Sequence, residues 1–178
     1  MISDCAFLRF LGSLLFLGLL VGGCDDEGTI PDVQSGTYRV RVVGAVQDTL
    51  SGPVRYRLRE GGLVGFELGA QEGPGLSIQM ERRPLGRRTY SVVDAALFDT
   101  KRPDEPPGVS AFLAHSGAMF EATDGSLEVT YADEDRVGAT FEFVMEGSFT
   151  DGPTETVAVH VQGTLNALER TSPGSDSQ

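Results

Sequence analysis

Ala118-Met119-Phe120-Glu121-Ala122-Thr123-Asp124-Gly125-Ser126-Leu127-Glu128-Val129-Thr130-Tyr131 alternates apolar and polar side chains on both sides of an Asp-Gly pair. A strand sends successive side chains to opposite faces, so such alternation marks a half-buried strand. Asp-Gly between two alternating runs is the strongest short hairpin signal, because a type I′ turn needs positive φ at both central residues. The pattern predicts a hairpin that sets Ala122 opposite Leu127 and Phe120 opposite Val129. A turn around Asp133-Glu134-Asp135 then sets Tyr131 opposite Val137, Val129 opposite Ala139 and Leu127 opposite Phe141. A further turn around Asp151-Gly152-Pro153 sets Met145 opposite Val157, Phe143 opposite Val159 and Phe141 opposite Val161. All three registers keep one face apolar, which a slip of one residue would destroy. The expectation is a four-stranded antiparallel meander over residues 118 to 167.

The N-terminal half follows the same logic. Tyr38, Val40, Val42 and Val46 alternate with Arg39, Arg41 and Gln47. After a loop at Asp48 to Pro53, Val54, Tyr56 and Leu58 alternate with Arg55, Arg57 and Arg59. A three-residue loop, Glu60-Gly61-Gly62, brings Val64, Phe66 and Leu68 onto the apolar face and sets Arg55 opposite Glu67. Leu76, Ile78 and Met80 mark the next strand, and Tyr90 to Phe98 and Val109 to His115 two more, separated by the proline-rich loop Lys101 to Gly108. About ten strands without a long amphipathic helix imply an all-β fold, whose apolar face must be covered by a second sheet or by closure. An antiparallel β-sandwich of two meanders is the expected form, and an up-and-down β-barrel is the alternative.

Residues 1–23 have a different character. The apolar run from Phe10 to Gly23 is 14 residues long, short of the roughly 20 needed to span a bilayer as a helix and suited to a signal peptide. Small residues lead from it into a cysteine. Val21, Gly22, Gly23 and Cys24 resemble the lipobox of bacterial lipoproteins. That resemblance implies cleavage before Cys24 and its modification by diacylglycerol and an N-acyl chain such as palmitate, and several chains make a lasting anchor. It places the protein in a bacterial cell envelope, on the periplasmic or outer face. Asp25 and Asp26 resemble the inner-membrane retention signal of enteric bacteria, but other lineages sort differently, so either membrane remains open. Cys5 would leave with the signal, so the mature chain could form no internal disulfide.

Cleavage leaves 155 residues and, since Asp4 and Arg9 depart together, the net charge stays at −12. Residues 24–36 read as the acylated cysteine and a flexible tether, 37–169 as a single all-β domain and 170–178 as a disordered tail. So acidic a chain excludes nucleic acid as a partner, because phosphate binding needs a basic footprint.

Reactive clusters are sparse. His160 falls on the polar face of the last strand and reads as a surface histidine. His115 stands beside Ser116, but a nucleophile and its base need a third group to orient the base, and none is evident from spacing. No G-x-S-x-G elbow is present. Two isolated histidines and an acylated cysteine cannot hold zinc. The acidic runs Asp133-Glu134-Asp135 and Asp25-Asp26-Glu27 lack the ligand spacing of a calcium loop. No metal, cofactor or catalytic residue is therefore assigned. Arginine stands out against the acidic background: Arg39, Arg41, Arg55, Arg57 and Arg59 share an outward face if the first strands pair, and Arg82, Arg83, Arg87 and Arg88 crowd a turn. The first five form a candidate patch for an anionic envelope component or protein partner; the alternative is that they pair with surface carboxylates. The expected role is a non-enzymatic interaction or structural module anchored by lipid. A second reading is a lipocalin-like carrier with Phe120, Phe141, Phe143, Tyr131 and Met145 lining an apolar cavity. A hydrolase centred on His115 is the remote third.

Overall fold

The computed structural model describes residues 32–59, 63–69, 73–81, 87–100, 106–133, 135–150 and 155–170. Within them lie nine strands: β1 (Thr37–Gly44), β2 (Asp48–Arg59), β3 (Leu63–Gly69), β4 (Gly75–Glu81), β5 (Arg88–Val92), β6 (Gly108–His115), β7 (Ala118–Ala132), β8 (Arg136–Phe149) and β9 (Val157–Glu169). A 3-10 helix, Ala95–Thr100, follows β5. All nine strands belong to one sheet in the order β1-β2-β3-β4-β6-β5-β7-β8-β9, and β9 pairs with β1 to close it. The all-β, largely antiparallel architecture is as expected. The two meanders, however, do not stack as separate sheets; they join edge to edge in one closed ring.

Closure follows from the length of β9, which runs antiparallel to β8 on one side and to β1 on the other. Both ladders keep the same face inward. Val137, Ala139, Phe141, Phe143 and Met145 of β8 meet Val159, Val161, Leu165 and Ala167 of β9 and Tyr38, Val40 and Val42 of β1 in one buried cluster. Past Thr37, where β1 begins, β2 and β9 touch directly and in parallel at Arg55 and Leu168. Short β5 similarly wedges between β6 and β7 at one end of the ring, while β6 and β7 pair with each other at the opposite end.

The Asp124-Gly125 pair does not turn the chain. It lies inside β7, which runs unbroken from Ala118 to Ala132 against β8. Before it the buried positions are even (Ala118, Phe120, Ala122), and after it odd (Leu127, Val129). A two-residue turn or a one-residue bulge can switch that parity, and the chain uses the bulge: Ala122 faces Met145 and Asp124 faces Val144, leaving Thr123 unpaired. Gly125 has φ 116°, and a Cβ there would overlap the Glu142 carbonyl oxygen across the ladder. The Asp124 carboxylate accepts the Gly125 N–H at 2.7 Å. The predicted meander of four strands is thus one of three.

Other registers divide the same way. Val129 faces Ala139 and Leu127 faces Phe141 as expected, whereas a second bulge at Thr130 moves Tyr131 opposite Gly138. In the last pairing Met145 meets Val159 and Phe143 meets Val161, two residues from the predicted partners and on the same face. Arg55 does face Glu67, with Val64, Phe66 and Leu68 buried; the loop Glu60 to Gly62 lies outside the described residues, as does Asp151 to Pro153. The predicted loop at Asp48 to Pro53 is instead the first half of β2, paired with β1. The strand expected from Tyr90 to Phe98 stops at Val92.

Phe120, Phe141, Phe143 and Met145 are all buried together with Tyr56, Tyr90 and Phe66. Phe141 and Phe143 stack at 5.3 Å, and Tyr56 lies 6.1 Å from Phe66 at a tilt. Tyr131 is not among them. It sits near one end of the ring, donating to Asp133 Oδ2 at 2.5 Å and lying 4.5 Å beneath the Arg136 guanidinium.

Gly125→Ala should lower stability by about 1–3 kcal/mol, because it forces a side chain into a strained, crowded position. Thr123→Ala, at the exposed unpaired residue, should leave the urea midpoint nearly unchanged. Equal midpoints for the two variants would show that the bulge does not depend on the glycine.

Candidate functional site

Four neighbouring strands, β1, β9, β8 and β7, bring their outward side chains into two transverse rows. One row runs Arg39, Thr164, Thr140, Glu128 and the next Arg41, Gln162, Glu142, Ser126. The rows line an open groove of about 420 Å³, with Phe141 and Gly163 also contributing to its wall. β1 and β7 are three strand spacings apart, roughly 14 Å. Long arginines thus stand on one bank, Glu128 on the other, and shorter polar groups lie between. Gly163 is required where it is: a Cβ there would come within 2.6 Å of the Phe141 ring and 2.7 Å of the Arg39 carbonyl oxygen.

Charge pairing separates the predicted arginines. Arg57 is bonded to Glu67 on the neighbouring strand. Glu142, the carboxylate nearest in register to Arg41, is engaged instead by His160 Nε2 at 2.9 Å. Among the described residues, Arg39 and Arg41 have no ion-pair partner. Arg39 faces Ser51 of β2, so Arg55 lies four residues further along that strand, roughly 13 Å away. Arg39, Arg41, Arg55 and Arg57 are all exposed on the outer face, but Arg39 and Arg41 overlook the groove while Arg55 and Arg57 stand towards the other end of the ring. Arg59 is placed by its backbone alone, opposite Leu63. Cys24, Arg82 and Arg83 lie outside the described residues.

Sequence reasoning found the two groove arginines by alternation and missed their surroundings. Gln162, Thr164, Thr140, Glu142, Ser126 and Glu128 join Arg39 and Arg41 only because β9 closes onto β1, and strand adjacency of that kind has no local signal.

A second cluster sits at the end of the ring that carries the β6–β7 turn. His115 Nε2 lies 2.8 Å from Asp48 Oδ2, and its Nδ1 lies 2.7 Å from Ser116 Oγ. The His115 side chain is 9% exposed and that of Asp48 39%. His115 continues the inward series Val109, Ala111, Leu113, and Asp48 begins β2 on the inward parity of Leu50 and Val54. The two meet across the ring end although β3 and β4 separate their strands. The signal that could have found Asp48 was that parity, hidden once residues 48 to 53 were read as a loop. The hydrogen bond from His115, with a second from the Thr49 N–H, holds the Asp48 carboxyl below the usual carboxylate range. Hydrogen bonding from Tyr131, then from backbone N–H groups, does the same for Asp133.

Carboxylates whose folded pKa is depressed contribute stability that is present above their unfolded value and is lost as pH falls through the folded one. The urea midpoint should therefore hold from neutral pH to about 5 and fall below about 4. An Asp48→Asn/Asp133→Asn variant should start lower at neutral pH and lose less on acidification; an identical acid slope would remove these two groups from the account. No protein-family model matches this chain, and no curated protein matches it either.

Proposed function

We propose that this protein is a lipid-anchored module of a bacterial cell envelope that binds, rather than transforms, an anionic group of a partner in the groove beneath Arg39 and Arg41. The observation that carries the reading is the pair of guanidiniums two residues apart on one strand face, without carboxylate partners among the described residues, on a chain of net charge −12. Guanidinium forks match carboxylate and phosphate geometry. The neighbouring Thr140, Thr164, Ser126 and Gln162 side chains add hydroxyl and amide groups suited to the polar surroundings of such a group on a polysaccharide or protein. Glu128 on the far bank disfavours a ligand that is anionic along its whole width. Arg57 has less claim to the role, since Glu67 already holds it. The carrier reading has less support, because four of the five residues it named pack against one another in the core.

The anchor belongs to this proposal through Val21, Gly22, Gly23 and Cys24. Cys24→Ala should abolish incorporation of labelled palmitate and release the protein from the membrane fraction; undiminished labelling would reject the lipoprotein assignment.

Retention of the full chain on isolated anionic envelope polysaccharide tests the groove. Arg39→Glu/Arg41→Glu should weaken it at least about tenfold, roughly 1.4 kcal/mol, and Arg55→Glu/Arg57→Glu should change it little. Equal retention of wild type and the first variant would reject the groove as the binding surface.

A further inference from the structure

The end of the ring holds a hydrogen-bonded chain distinct from the groove. His115 bonds through Nε2 to the Asp48 carboxylate at 2.8 Å. An ionised carboxylate can only accept, so the proton of a neutral imidazole resides on Nε2 and the Nδ1 lone pair faces Ser116 Oγ at 2.7 Å. Ser116 thereby donates to a ring nitrogen whose tautomer is fixed from the other side. This is the arrangement a serine nucleophile needs, with the roles of the two ring nitrogens exchanged relative to the commonest form.

The backbone holds Ser116 in place. Ser116 has φ 51° and is the one non-glycine residue with positive φ among the described residues, followed by Gly117 at φ 73°. Positive φ at both positions is the requirement of a two-residue hairpin turn, here between His115 and Ala118. The Thr150 N–H and hydroxyl both bond to the Gly117 carbonyl oxygen and fasten the turn to the end of β8. The N–H groups of Ser116 and Gly117 donate to no described acceptor, which leaves two adjacent donors free for a developing oxyanion. His115 is mostly enclosed while Ser116 is exposed, so the base is sheltered and the nucleophile accessible.

We propose that Ser116, His115 and Asp48 form a nucleophilic site that transfers acyl groups from exposed esters with short acyl chains to water. Ser116 Oγ attacks the ester carbonyl carbon and its proton passes to His115 Nδ1. The carbonyl carbon to alkoxy bond breaks, and the alcohol leaves with that proton. Water then attacks the acyl-serine, gives one proton to Nδ1, and releases the carboxylic acid as Ser116 recovers its hydrogen. Ser116 and His115 are the catalytic residues. Asp48 is a positioning residue, since it acts on the ester only through His115. Because Ser116 projects from a turn, the acyl group must be small or presented by an extended chain.

The full chain, extracted in detergent, is treated with p-nitrophenyl acetate and, separately, with a fluorophosphonate. The expected result is ester turnover and one phosphonyl adduct on the peptide bearing Ser116. Ser116→Gly removes the hydroxyl while easing the turn, so its expected loss of both signals cannot arise from backbone strain. Asp48→Asn should lower kcat by about 10²-fold or more with KM nearly unchanged, and Asp48→Glu should recover part of it. Long-range proton–nitrogen spectra should show His115 with an unprotonated Nδ1 in the wild type and mixed tautomers in Asp48→Asn, which a purely structural role for Asp48 would not produce. The proposal is overturned if Ser116 takes no adduct, if Ser116→Gly hydrolyses the ester as fast as wild type, or if His115→Gln is labelled at the wild-type rate.

Discussion

Everything in this fold depends on the ladder between β1 and β9, which joins the first strand to the last over Thr37 to Gly44 and Val159 to Asn166. An open sheet of this composition would expose two edges and one apolar face. Closure removes both edges and turns the apolar face into an interior, so Val40, Phe143 and Val161 become mutually buried without a second layer. The same ladder builds the outer groove, because it sets the β1 arginines beside the Thr, Gln and Glu side chains of β9 and β8. Core and candidate site are the two faces of one set of hydrogen bonds.

Face assignment was legible in the sequence nearly everywhere, and connectivity was not. Phe120, Leu127, Val129, Phe141 and Phe143 all point inward as alternation requires, since a residue's parity is local information. Whether Asp124-Gly125 reverses the chain or bulges it depends on what lies opposite. Both solutions switch parity and both favour glycine, so the local signal is the same. The deciding fact is that β8 is long enough to pair on both sides of Gly125, a property of residues that come later in the chain. Asp48 to Pro53 was hidden for a similar reason: Gly52 and Pro53 read as a loop, yet Pro53 closes the β1 ladder opposite Thr37, where the pairing ends and its missing N–H costs nothing to the sheet.

The candidate sites divide along the same line. Arg39 and Arg41 could be placed on an outward face from their own strand. Their lack of ion-pair partners among the described residues could not, because it depends on Glu142 turning to His160 and on Glu67 being opposite Arg55 rather than near β1. Asp48 and His115 are 67 residues apart, and only the order β2-β3-β4-β6 curls their strand ends towards each other across the ring.

A filled, closed sheet leaves two kinds of place for chemistry, and they impose different geometries. On the outer face side chains stand on a lattice, about 4.8 Å between strands and about 7 Å between alternate residues, which favours spreading charges to meet an extended partner. At a ring end the inward positions leave the apolar core and reach water, so polar groups from non-adjacent strands can converge to hydrogen-bonding distance. Asp48 and His115 do so, and the half-exposed carboxylate makes their hydrogen bond a weak source of stability, because water competes for it. An apolar pair at the same inward positions would extend the core and avoid desolvating either group. Stability alone thus gives no reason for an aspartate and a histidine there, whereas fixing the tautomer of a ring that accepts from Ser116 gives one.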